Sequence, residues 1–260
     1  MSKLLVCRLL PLLMFCTGCM SPRIENPAAL DTVISGVKAR LAVVRGTPIP
    51  KHLLSNGVKR GGEFDASTLM REFPNLSLPS GCVLDWVYQY DSYCGAPALY
   101  IRRSDQQPYM SYKDYVAAVT QTALDKRTTL VPLWADAVIA DGSPSSYVQL
   151  FILITMADQF YQFWHAAHHD SVVICTKKGL SEWVGTSGIS LSDSERDAVA
   201  KLDPTPKAWV NGRKATVEVL CYSWAGGGLS WRRLSILRQP PRRLLDYSET
   251  YVIRTGYVYM

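Results

Sequence analysis

The chain has 260 residues, 48% apolar and 19% charged, a balance that fits a folded globular protein and excludes a disordered or coiled-coil chain. Its net charge of +6 is mild, and with Lys3 and Arg8 set aside about +4 is left, which speaks against nucleic acid as a partner. After the first twenty residues no apolar stretch of about 18 residues runs without polar interruption, so no membrane-spanning helix is predicted.

The chain opens with a short basic region from Lys3 to Arg8 and the apolar run Leu9-Leu10-Pro11-Leu12-Leu13-Met14-Phe15. A core of about seven residues is too short to cross roughly 30 Å of hydrocarbon, so residues 1–18 read as a secretory signal peptide. The next residues, Cys16-Thr17-Gly18-Cys19, resemble the lipobox of bacterial lipoproteins, with Cys16 where Leu is usual. The resemblance implies cleavage before Cys19, diacylation of its thiol and acylation of the new amino terminus. Membrane lipid is then the expected partner, through Cys19, and residues 19–260 form the expected mature domain. Several chains on one residue anchor stably, where a single chain, at about 0.8 kcal/mol per buried methylene, holds only marginally. Met20 in place of Asp implies sorting to the outer membrane, facing the periplasm or the surface.

Residues 26 to 42 have the signature of a helix: Asn26 caps it, Pro27 suits the first turn, and Leu30, Val33, Ile34, Val37 and Leu41 share a face. A Gly- and Pro-rich loop follows to about Gly62. Asp65 caps a short helix, with Phe64 and Leu69 at the spacing of a hydrophobic staple, and Pro74 ends it. Cys82 to Tyr90 and Ala96 to Ile101 read as a hairpin. Ser111 with Asp114 opens a further helix bearing Tyr112, Tyr115, Val116, Val119 and Ala123 on one face.

The apolar run from Tyr147 to Trp164 fits a buried helix or two strands. Its wealth of β-branched and aromatic residues, including Val148, Phe151, Ile152, Ile154 and Phe160, favours strands joined near Ala157-Asp158. Val172 to Cys175 is a third strand. Ser192 and Glu195 form a capping box for a helix to about Leu202. Asn211-Gly212 signals a hairpin between Ala208-Trp209-Val210 and the run from Ala215 to Trp224. Gly226 to Gly228 turn into a strand from Leu229 to Leu237, and Tyr251 to Tyr257 supply the last. The whole predicts an α+β fold, a meandering antiparallel sheet with several packed helices, in one domain.

Besides Cys19 the mature chain keeps Cys82, Cys94, Cys175 and Cys221. Cys82 and Cys94 fall at opposite ends of one hairpin arm, too far apart to bridge. Cys175 with Cys221 is the better candidate disulfide, and four buried free thiols are the alternative.

Trp164-His165-Ala166-Ala167-His168-His169-Asp170 gathers three of the four histidines. Imidazole and carboxylate are good zinc ligands, so His165, His168, His169 and Asp170 are the candidate metal set. The H-E-x-x-H pattern is absent, and a further ligand such as His52 or Asp85 would be needed. Ser35-Gly36-Val37-Lys38 matches S-x-x-K, with Arg254-Thr255-Gly256 near the end. The S-D-N element is missing, and so short a motif recurs by chance. Phosphate-loop, dinucleotide and nucleophile-elbow patterns are absent, so no catalytic residue and no cofactor is assigned.

Arg232, Arg233, Arg238, Arg242 and Arg243 cluster in sequence and suit either anionic head groups or a solvated sheet face. The Trp and Tyr residues serve as core or as a stacking surface. Phe160-Tyr161-Gln162-Phe163-Trp164-His165, Asp170, Cys175 and Trp224-Ala225-Gly226-Gly227 resemble segments of bacterial proteins without an assigned activity, which implies no catalytic role. The expectation is a non-catalytic envelope lipoprotein that binds a protein or glycan partner. A metal-dependent hydrolase at His165 to Asp170 and a periplasmic immunity protein are the alternatives.

Overall fold

The computed structural model describes residues 23–91, 93–119, 132–163, 171–186, 189–223 and 227–254. Helix α1 spans Pro27–Arg45, with Asn26 Oδ1 accepting from the Ala29 N–H at 3.2 Å and Pro27 in the first turn. Its buried stripe is the expected one, Leu30, Val33, Ile34, Val37 and Leu41, extended by Val44. A short helix, α2 (Lys51–Asn56), ends on Gly57 in the left-handed region. Asp65 caps a 3-10 segment, Ala66–Glu72. Strand β1 (Leu76–Ser77) precedes the hairpin of β2 (Cys82–Tyr90) and β3 (Gly95–Arg103). Helix α3 (Tyr112–Ala118) starts on Ser111, as its cap predicts, and is followed by a 3-10 segment, Leu133–Ala137, and by β4 (Ile139–Ala140), the partner of β1.

The run read as two strands after Tyr147 is instead helix α4, Pro144–Met156. Its start carries helical signals: Ser143 Oγ accepts from the Ser146 N–H at 3.1 Å, and Pro144 occupies the first turn. Because α4 is buried almost all round, it shows no amphipathic period, and its β-branched and aromatic content misleads. The turn near Ala157 is the helix end, where the Ala157 N–H bonds to the Leu153 carbonyl.

After α4 come β5 (Val172–Ile174), α5 (Lys177–Thr186) and α6 (Asp193–Ala200), the last opened by the Ser192–Glu195 capping box. Strands β6 (Lys207–Asn211) and β7 (Lys214–Ser223) form the hairpin signalled by Asn211-Gly212, with Gly212 at φ 50°. Strands β8 (Gly228–Leu237) and β9 (Leu244–Arg254) complete an antiparallel sheet in which β7 pairs with β5, β6 and β8, and β8 with β9. The last strand thus begins seven residues before Tyr251; its predicted end at Tyr257 lies outside the described residues. The fold is α+β.

On the inner face of this sheet Val217, Val219 and Leu234 join α1, α4 and the β2 side chains Leu84, Trp86 and Tyr88 in one continuous core. Among the described residues the outer face is covered at one end only. There α5, α6 and the segment leading into α6 bring Leu180, Trp183, Val199 and Leu191 against Leu220, Tyr222, Leu229 and Ile253.

Candidate functional site

A cleft of about 490 Å³ opens between α1 and α5, with β5 as its floor. From α1 come Asp31, Ser35, Lys38 and Arg45, spaced so that they share one stripe beside the buried one. From α5 come Lys178, Gly179, Glu182, Trp183 and Thr186, also at helical spacing. Val172, Val173, Ile174 and Tyr222 supply the apolar base.

Each end of the cleft is fixed by a polar tie. At one end the Thr176 hydroxyl donates to Asp31 Oδ2 and accepts from the Gly179 N–H at 3.0 Å, so Thr176 caps α5 and holds it to α1. The Asp31 carboxylate sits 3.5 Å from where a side chain at residue 179 would begin, close to the electropositive start of α5. At the other end Arg45 donates to the Gln159 carbonyl at 3.1 Å and to Gln159 Oε1 at 2.8 Å. The Gln159 amide in turn donates to the carbonyls of Thr155 and Ser171.

Between these ties the walls keep unused hydrogen-bonding groups. Lys38 is exposed and takes no part in an ion pair among the described residues. Trp183 is 7% exposed, and its indole N–H is buried without a hydrogen-bond partner. Unsatisfied buried donors are few in native proteins and each calls for a reason. The indole lies 5.0 Å from the Tyr222 ring. Ser35 and Lys38 both line the cleft, yet no hydrogen bond joins them, so the S-x-x-K coincidence does not make an activated nucleophile.

Cys19, His165, His168, His169 and Asp170 lie outside the described residues. Among the described residues no group of three or more His, Cys, Asp or Glu side chains is placed to hold a metal. His52, a suggested further ligand, has Nε2 2.7 Å from Glu63 Oε1. Asp85, the other, lies between Lys59 Nζ at 2.8 Å and Arg102 Nε at 2.6 Å. Burial opposes ionisation of Asp85, but the hydrogen bonds from Lys59 and Arg102 outweigh it and hold the carboxyl below its usual range. Both residues are therefore engaged in structural pairs.

Cys175 and Cys221 are buried free thiols. Val173 faces Cys221 across β5 and β7, which sets Cys175 and Cys221 on the same sheet face, diagonal to one another. Burial raises both thiols, Cys221 to about 12, so neither is a ready nucleophile.

The arginines that cluster in sequence are dispersed in space. Arg232 pairs with Glu249 at 2.9 Å. Arg238 donates to the Tyr147 hydroxyl at 2.9 Å, and Arg242 is buried, donating to the carbonyls of Ala135, Asp136 and Val138. Only Arg233 and Arg243 are exposed. Arg233 belongs to a patch on the end of the outer sheet face that no described element covers, its guanidinium 5.1 Å from the Trp209 ring. Beside it the Lys207 ammonium lies 5.5 Å from the Trp231 ring and 2.5 Å from Glu218. These two indoles, half-buried, are the aromatic surface that sequence could only place in general terms.

No protein-family profile, curated protein or solved structure matches the chain.

Proposed function

We propose that the chain is a lipid-anchored protein of the bacterial envelope, held through acylated Cys19, whose α+β domain is a non-catalytic binding module. The anchoring half of this reading rests on Cys16-Thr17-Gly18-Cys19, with Met20 favouring the outer membrane. The binding half is carried by the cleft between α1 and α5. Its size falls in the range of small-ligand sites, and several polar groups converge on it over an apolar base. Mixed carboxylates and amines with a hydroxyl suit a neutral or zwitterionic polar ligand, and among envelope components a glycan has that character.

Titration of the detergent-solubilised protein with soluble peptidoglycan fragments, followed by Trp fluorescence or calorimetry, tests the reading. Saturable binding is expected, weakened about tenfold or more by Lys38→Glu, a substitution at an exposed position and so neutral for folding. Binding that Lys38→Glu leaves unchanged, or none at all, would remove the cleft from the proposal.

A further inference from the structure

The first described residues join the domain at a defined place. Arg23 forms an antiparallel bridge with Lys207 at the start of β6, and the Ile24 N–H donates to the Pro206 carbonyl at 3.2 Å. The Arg23 guanidinium pairs with Asp203 at 3.0 Å, and Ile24 is buried in the main core. Four residue steps separate Arg23 from Cys19, so the chain between them reaches at most about 14 Å. A domain of this length has a radius of gyration of about 18 Å. The tether is shorter than the domain is thick.

An anchor on Cys19 therefore brings the β6 edge to the membrane. Immediately beside that edge is the part of the outer face that no described element covers, where Lys207 and Trp209 of β6 meet Trp231 and Arg233 of β8. Tryptophan favours the head-group region because its ring is apolar and its N–H is polar, and lysine and arginine favour anionic head groups. By register Lys207, Lys214 and Arg233 lie on this face against the carboxylates of Glu218 and Asp246.

We infer that the Trp209–Trp231 face seats on the head groups of an anionic bilayer, fixing the orientation of the domain. This rests on the Cys19 anchor proposed above. The test uses the full-length acylated protein in vesicles of mixed phosphatidylcholine and phosphatidylglycerol, with a nitroxide quencher on a fraction of the lipid head groups. Trp emission is expected to be quenched in the wild type, with quenching largely lost in Trp209→Phe/Trp231→Phe. Quenching that survives the double substitution, or is absent from protein whose Cys19 acylation mass spectrometry confirms, would overturn the inference. An unmodified Cys19 would instead remove the anchor itself. Hydrogen exchange of the wild type gives a readout independent of the variant's folding: membrane-dependent protection is expected at β6, and its confinement to elements remote from β6 would also overturn the seating.

Discussion

Replacing Asp85 by Asn removes one carboxylate from between two cations. Lys59, 8% exposed, donates to Asp85 Oδ1 at 2.8 Å and to the Trp86 carbonyl at 2.7 Å, with its ammonium 4.7 Å from the Trp86 ring. Arg102 has other acceptors, the carbonyls of Arg103 and Gln106 at 3.0 and 2.7 Å, so it tolerates the loss better. The penalty thus concentrates on a buried ammonium with no counter-charge, for which about 3–5 kcal/mol is expected. That is a large share of a total stability of about 5–15 kcal/mol. In urea unfolding followed by circular dichroism, with a slope of about 2–3 kcal/mol per molar, the midpoint should fall by roughly 1.5 M. Lys59→Met/Asp85→Leu, which removes both charges, should recover most of the loss. A midpoint shift under about 0.4 M for Asp85→Asn would refute the reasoning, because the cluster would then be too well solvated to matter.

The pH dependence follows from the same carboxyl. Asp85 is depressed below its ordinary 3.8 in the fold, so its contribution is fully present above pH about 4 and is lost as pH falls through the lower folded value; acid unfolding of Asp85→Asn should show a shallower dependence there, and an identical profile would contradict the assignment. Leu153, fully buried on α4, should cost about 2–5 kcal/mol as Leu153→Ala in thermal or urea unfolding, and a cost below 1 kcal/mol would argue against a buried helix at this place. A thiol reagent should modify Cys82 and Cys94 in the native protein, and Cys175 and Cys221 only after unfolding; if the latter two stay unreactive in denaturant until a reductant is added, they form a disulfide. Purified protein is expected to hold no stoichiometric zinc, and zinc lost on His165→Ala/His169→Ala would replace the binding reading with the hydrolase.

Local signals carried far in this chain. Asn26, Asp65, Ser111, Ser143 and Ser192 are all N-caps, and four of the five mark helix starts in the sequence unaided. The fifth, Ser143-Pro144, precedes a run whose composition favours strands, and a helix buried almost all round carries no period to read. Helix α5 left little trace because Lys177–Thr186 contains two glycines and only two buried apolar residues, Leu180 and Trp183. The cleft was hidden for the same reason: one wall is the polar stripe of α1, the other belongs to that unseen helix, and the tie between them, Thr176 to Asp31, spans 145 residues. Closeness in sequence says little about the arginines, as alternation along β8 sends Arg232 and Arg233 to opposite faces and the following turn buries Arg242.

The anchor is tested most directly by the intact mass of the N-terminal peptide of protein purified from membranes. The expected result is a peptide beginning at Cys19 and carrying a diacylglyceryl thioether and an amide-linked acyl chain. A peptide that begins elsewhere, or an unmodified Cys19, would contradict the anchored reading and with it the seating of the β6 face.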